Sequence, residues 1–246
     1  MNRISREILH SRKVCPKAEL IWGWGSPAGQ KRSERRANFL IELGGIKKGI
    51  KVLEIGCGTG VFTKKIAETG ADILAVDISS YLISKARKNL QGYPNVTFYV
   101  ADAENLNLRE EYFDSVVGIS VLHHLNFKPA LLEIRRVLKR GGRIVFTEPN
   151  MLNPQIMLER KIKSIGKLLY NSPDETAFIR WTLKKEMKKL GFEEIFINPF
   201  DFLHPSTPTF LIERISKIGM CLEKVLVLKE ISGSLLIKGK KPNNCL

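Results

Sequence analysis

Residues 52–60 read Val-Leu-Glu-Ile-Gly-Cys-Gly-Thr-Gly (VLEIGCGTG): a short apolar run that passes directly into three glycines spaced by two. Glycine loses more conformational entropy on folding than any other residue, so three in five positions need a reason. The usual one is a backbone that must pass close to something, often a bound ligand. An acid, Glu54, stands just before the turn.

Working outward, strand-like and helix-like pieces alternate. Lys51–Gly56 is a first apolar run, and Val61–Thr69 has helical spacing through Phe62 and Ile66. Ala71–Asp77 (ADILAVD) is a second run closed by an acid. Ser79–Leu90 has a helix start at Ser79 or Ser80 and places Leu82, Ile83, Ala86 and Leu90 on one side. Val96–Val100 and Phe113–Ile119 follow as third and fourth strands. Pro129–Lys139 is amphipathic and is expected to stop at Gly141-Gly142, ahead of a fifth strand at Gly142–Glu148. Such alternation means βαβ units and a parallel sheet covered by helices on both faces. Past Pro149 the pattern changes. Met151–Tyr170, Glu175–Leu190 and Pro208–Leu228 read as helices, Phe192–Pro199 and Ser232–Gly239 as strands.

In a doubly wound sheet, ligands lie beyond the carboxyl ends of the strands, with a glycine-rich first turn and an acid about 20 residues on that grips ribose hydroxyls. Asp77 lies 21 residues after Gly56 and ends the second strand. The spacing here is GxGxG, with Val61 where a nicotinamide-binding GxGxxG needs its third glycine. Glu54 is ill placed beside a pyrophosphate but suits a cationic ligand. Further marks fall at successive strand ends: Asp102-Ala103 after the third, Ser120 in GISVLHHL after the fourth, and RVLKRGGRIVFTEPN around the fifth.

With those marks in order, residues 35–150 closely resemble the class I S-adenosylmethionine-dependent methyltransferases, in particular the small-molecule branch that includes quinone-biosynthesis enzymes. The resemblance implies an α/β, doubly wound, Rossmann-like seven-stranded sheet whose last strand, Ser232–Gly239, runs antiparallel, with helical cap additions at both ends. It implies S-adenosyl-L-methionine as cofactor and S-adenosyl-L-homocysteine as product. By the same resemblance Glu54, Gly56, Gly58 and Gly60 surround the amino-acid part of the cofactor, with Cys57 a small filler of the same loop. Asp77 takes the ribose hydroxyls, Ile78 lies against the adenine, Asp102 and Ala103 meet the adenine edge, and Ser120 with His124 lies near the methionine end.

A methyl carbon on a sulfonium is already activated, so the protein has chiefly to align donor and acceptor and exclude water; orientation alone is worth roughly 7–11 kcal/mol. A base helps only if the acceptor must lose a proton. His124 is the first candidate, then His123 beside it, then His204 in the tail; a histidine here can equally pack or orient the cofactor. The N-terminal stretch IWGWGSPAGQKRSERR sets two tryptophans among glycines ahead of a basic helix. Trp22 and Trp24 are read as a lid over the cofactor, or as an anchor of the N-terminus to the core. Arg36, with Arg32 or Arg35, is read as meeting the methionine carboxylate or an anionic substrate. The expected organisation is a lid flank at 1–34, the cofactor-binding core at 35–150, and 151–246 as the remainder of the sheet with helical substrate-side insertions.

Composition narrows the rest. The chain has 246 residues, 43% of them apolar, and a formal charge of +15. The excess sits in the flanks: net +7 over residues 1–50, +2 over 51–150 and +6 over 151–246. A basic flank can meet an anionic membrane surface, nucleic acid or a phosphorylated substrate, or be only a solvated face. Cys15, Cys57, Cys221 and Cys245 form no CxxC pair, which argues against a zinc site or a disulfide framework, so no metal is expected. No apolar run approaches the roughly 18 residues of a membrane span, and the N-terminus is too polar for a signal peptide. A cytoplasmic protein, optionally peripheral to a membrane, is expected to act on a small, partly apolar acceptor: a lipid, quinone, glycan precursor or secondary metabolite. Nucleic-acid methylation is the lesser reading, because Ile119-Ser-Val-Leu-His-His is not the (D/N)PP(Y/F) of base amino-group methylation. A protein methyltransferase and a non-catalytic cofactor-binding scaffold stay open.

Overall fold

The computed structural model describes residues 2–162 and 175–243. Seven strands form one sheet in the order β3-β2-β1-β4-β5-β7-β6. β1 (Lys51–Ile55), β2 (Asp72–Asp77), β3 (Val96–Val100), β4 (Phe113–Ile119) and β5 (Leu138–Pro149) are parallel. β7 (Ser234–Lys240) runs antiparallel between β5 and β6 (Glu193–Phe200). Strand order reverses between β1 and β4, and that is where such a sheet opens a crevice.

β1 shows why the sheet is covered on both faces: Val52 and Leu53 are both fully buried yet point to opposite sides. Val52 joins a core with Leu40 of α3 (Pro27–Gly44), Ile66 of α4 (Val61–Ala67) and Ile83 of α5 (Ser80–Asn89). Leu53 joins the opposite core with Leu131 and Ile134 of α6 (Phe127–Val137) and with Leu183 and Met187 of a later helix, Arg180–Lys189. Ser79 caps α5 with its hydroxyl on the Leu82 N–H, as the helix-start reading of that serine requires.

Several boundaries differ from those read in the sequence. α6 stops at Val137, and β5 takes up Leu138 at once, pairing it with Phe113. The Gly141-Gly142 pair is therefore an irregularity inside a long strand and not a helix terminus, and Gly141 supplies its positive φ of 71°. The expected helix at Glu175–Leu190 begins only at Arg180, because the chain first makes a bridge from Phe178 to Asn150 beside β5. Pro208–Leu228 breaks into a short 3₁₀ turn, a helix at Ile212–Leu222 and a second 3₁₀ turn at Leu228–Ile231. Of the expected Met151–Tyr170 helix, Pro154–Lys161 is helical; the part beyond residue 162 lies outside the described residues. Among the described residues the remaining helices are α1 (Arg3–Val14) and the one-turn α2 (Ala18–Ile21) at the N-terminus, then α7 (Pro154–Lys161), α8 (Arg180–Lys189) and α9 (Ile212–Leu222). α1 falls in the helical N-terminal addition that the resemblance implies, with bounds that no pattern in the sequence supplied. α3 runs across residues 34 and 35, so the flank and the core share one helix.

Candidate active site

A cavity of about 420 Å³ lies beyond the carboxyl ends of β1, β2 and β4, under a roof made by the N-terminal segment. The glycine turn forms its floor. Gly56 and Cys57 both donate their N–H to the carbonyl of Val76, at 2.8 and 3.1 Å, which ties the end of β1 to β2. Gly56 takes a φ of +69°, and a Cβ there would stand 2.5 Å from Cγ2 of Val121, so only glycine passes. Asp77 then fastens the loop from the next strand: Oδ2 accepts the Gly58 N–H at 3.0 Å and Oδ1 the Ser79 N–H at 2.9 Å. Burial raises the Asp77 carboxyl above its usual range, and those two N–H donors oppose the rise.

Of the residues singled out in the sequence, Gly56, Cys57, Gly58, Asp77, Ile78, Ala103, Ser120, His123, His124, Trp22, Trp24 and Arg36 all line this cavity. Ser120 does so from a left-handed backbone, φ 53°, the kind of conformation that collects at functional sites. Glu54, Gly60 and Asp102 stand behind the wall. Gly60 caps α4 in a left-handed conformation against Leu90, and the Asp102 side chain accepts the Glu104 N–H at 2.9 Å, closing its own turn. His204 is not brought in at all. It is exposed, with Nδ1 beside Ser206 Oγ at 2.5 Å, so it does not reach over the site.

The roof is built from pieces far apart in sequence. Trp22 lies over the glycine turn, its ring 3.2 Å from where a Gly58 Cβ would be. Trp24 packs edge-on against Phe62, with the guanidiniums of Arg32 and Arg36 over its ring. The turn between them can lie on α3 only because residue 29 is glycine; a Cβ there would meet the carbonyl oxygen of Gly23 at 1.7 Å. Arg36 also departs from expectation. It faces the cavity, but its charge is already met by Asp201 Oδ2 at 2.6 Å, with Ser234 Oγ at 2.7 Å. Arg32 reaches the same carboxylate at 2.8 Å, and Arg35 pairs with Glu223.

The far end holds ionisable groups that the sequence reading missed. Glu148, at the end of β5, accepts the N–H groups of Val121, Leu122 and His123 and sits 2.7 Å from His123 Nδ1. Burial pushes its carboxyl up to about 7 against those donors. Burial, with His124 beside it, holds His123 well below the usual histidine range. Burial works against the charge of His124 too, but Glu7 at 3.3 Å and Glu175 outweigh it and raise its pKa. Glu7 and His10 come from α1, Arg160 from α7 and Glu175 from the segment before α8, and all four line the cavity. Of these only Glu148 had a signal in the sequence, as the acid ending a strand in FTEPN.

A floor of glycines, an acid ending β2 and a serine-histidine turn after β4, set on this strand order, define a class I S-adenosylmethionine-dependent methyltransferase. Comparisons agree. A methyltransferase-domain family profile matches residues 53–146. The chain is 34% identical over 183 residues to the ubiquinone/menaquinone biosynthesis C-methyltransferase UbiE of Ectopseudomonas mendocina, covering 64% of this chain and 70% of that one. It is 33% identical over 157 residues to the demethylmenaquinone methyltransferase of Tropheryma whipplei, and there the match spans 65% of the relative's length. Among solved structures, the methyltransferase bound to the Haloferax volcanii activator Trm112 superposes with a TM-score of 0.70 at 18% identity, over 94% of this chain and 97% of that one. The [4+2]-cyclase SpnF superposes at 0.64 and 18% identity, over 94% of each. The chain belongs to the class I S-adenosylmethionine-dependent methyltransferases, among those of the quinone-biosynthesis type.

The residues present fit that cofactor on this chain's own evidence. Glu54 Oε2 is buried with no hydrogen-bond partner. Burial pushes the Glu54 carboxyl up to about 7, so a cation brought near it would favour its charged form. Gly56 and Gly58 line the cavity with bare backbone, and a Cβ at either would press on Val121 or Trp22.

Proposed function

We propose that the protein moves a methyl group from S-adenosylmethionine to a small, partly apolar acceptor of the quinone kind. The observation that carries this is the single cavity running from the Gly56–Gly58 turn and Asp77 to the His123–His124 turn, walled by Ile55, Val76, Leu82, Ile119 and Leu125. The bound cofactor supplies a methyl carbon already activated on sulfur. Asp77 holds the ribose hydroxyls, Ile78 and Ala103 flank the adenine, and Glu54 offsets the positive charge from behind the glycine turn. Ser120 and the His124 ring border the space between donor and acceptor. Trp22 and Trp24 close the roof and keep water out, which raises the value of every polar contact inside. His124, with Glu7 behind it, faces the acceptor end of the cavity. The quinone relatives favour this over nucleic-acid, protein or scaffold readings.

The test is turnover with S-adenosylmethionine and demethylmenaquinone, offered in quinone and hydroquinone forms. S-adenosylhomocysteine should form in step with a product heavier by one methyl. If the cofactor binds but neither form is methylated, the quinone part of the reading is lost; if the cofactor does not bind, all of it is.

The C-terminal cap supports a membrane surface as the acceptor's source. No helix among the described residues is long and apolar enough to cross a membrane. Yet Phe210, Ile218, Leu226 and Val227 are 80%, 58%, 76% and 78% exposed, with Arg214, Lys217 and Lys224 exposed among them. Apolar side chains interleaved with cations suit an anionic bilayer surface. The protein is expected to co-sediment with liposomes containing anionic lipid at low salt and to be released by salt. Absence of sedimentation at low salt would remove the membrane from the reading.

A further inference from the structure

We infer that His123, His124 and Glu175 form a binding site for a divalent metal ion of the zinc kind, at the acceptor end of the cavity. The sequence offers no metal-ligand spacing beyond the vicinal pair; the third ligand arrives only through the tertiary structure. The two imidazole rings lie side by side, centroids 4.1 Å apart, and both direct Nε2 at one carboxylate. His123 Nε2 is 4.0 Å from Glu175 Oε2, and His124 Nε2 is 4.0 Å from Glu175 Oε1. All three donor atoms lie within 4.8 Å of one another. A tetrahedral zinc ion with ligands at about 2.0–2.1 Å sets its donors roughly 3.3 Å apart, so each side chain need move only by a fraction of an ångström.

The surroundings are those of a ligand set. A metal-bound histidine nearly always has its second ring nitrogen on a carboxylate or carbonyl, which fixes the tautomer. His123 has this arrangement, with Glu148 2.7 Å from its Nδ1; Glu7 stands 3.3 Å from Nδ1 of His124 without hydrogen-bond geometry. Two nitrogens and one carboxylate, facing a cavity, match a three-ligand site with an open fourth position. Arg160 competes for the carboxylate, at 2.7 Å from Glu175 Oε2. The open position would take the hydroxyl or phenolic oxygen of an acceptor. That last clause rests on the methyl-transfer reading; the metal site does not.

The experiment uses the full chain without a tag, freed of metal by a chelator. A Cys221→Ser, Cys245→Ser background removes thiols that could bind zinc adventitiously. Zn²⁺ is titrated by calorimetry, and Co²⁺ by its visible absorption. One equivalent is expected, with a cobalt spectrum of nitrogen and oxygen ligands and no sulfur. Glu148→Gln, which alters what holds the His123 ring and the 121–123 turn but removes no ligand, should weaken binding about 10–100-fold. Glu175→Gln and His124→Ala should abolish it, with circular dichroism reporting whether each variant is folded. Absence of stoichiometric binding to the parent chain overturns the site without reference to any variant, and so does binding retained in both folded ligand variants. Metal binding with no methyl transfer would uphold the site and sink only the acceptor reading.

Discussion

Asp77→Ala is expected to weaken S-adenosylmethionine binding by about 10²–10⁴-fold. Each hydrogen bond to a charged group is worth about 1.5–3 kcal/mol, the proposed binding mode sets two ribose hydroxyls on this one carboxylate, and every 1.4 kcal/mol is roughly tenfold. The side chain also accepts the Gly58 and Ser79 N–H groups, so its removal loosens the floor as well as the ligand's anchor. Asp77→Asn keeps one acceptor for the loop and should fall between the two. Trp22→Ala, which uncovers the Gly58 turn without touching its hydrogen bonds, should cost only about tenfold, in line with the roughly 1–3 kcal/mol an aromatic contact gives. Calorimetric titration of the three variants beside the parent checks the order. Equal affinity in Asp77→Ala and parent would end the ribose assignment; unchanged affinity in Trp22→Ala would end the lid assignment for that residue.

Asp201→Ala should be the most destabilising single change, at about 3–5 kcal/mol, the usual cost of breaking one side of a buried ion pair. Arg36 is only 2% exposed, and without Asp201 its charge would have Ser234 Oγ as the nearest polar partner. The carboxylate also links elements: Oδ1 accepts the Leu203 N–H and Oδ2 the Nε of Arg32. Burial by itself would raise the Asp201 carboxyl, but Arg36 and Arg32 outweigh it and bring the pKa down to about 2. A carboxyl held below its unfolded value contributes stability above that unfolded value, near 4, and loses it as pH falls toward 2. The lowering is worth about 2.5 kcal/mol on the carboxylate side. Arg36 gives back a comparable amount, because burial holds its pKa down to about 10 in spite of the partner. The pair is thus a constraint on how α3 meets the chain after β6 more than a net gain. Asp201→Ala combined with Arg36→Met should recover most of the loss. Urea unfolding at pH 7 and at pH 3 checks all of this; a single variant with parental stability would refute it.

Much of the core was legible because its signals are local. A glycine turn, an acid closing a strand, a serine before a helix and the alternation of apolar runs each act over a few residues, and together they lead from VLEIGCGTG to the parallel sheet and its crevice. The antiparallel position of β7 followed from resemblance, not from periodicity. Where local signals misled, a longer-range demand intervened: Gly141 and Gly142 look like a helix stop, but pairing with β4 continues the strand through them. The roof and the far wall were decided only in the tertiary structure. Glu7, His10, Arg160 and Glu175 sit in segments with no motif and reach the cavity from opposite ends of the chain. Asp201 claims Arg36 across 165 positions, a pairing that no spacing encodes. The physical reason is one of range. Backbone propensity and turn chemistry are properties of neighbouring residues and can be read along the chain. The partner of a buried charge is set by desolvation, which acts only once distant segments have been packed together.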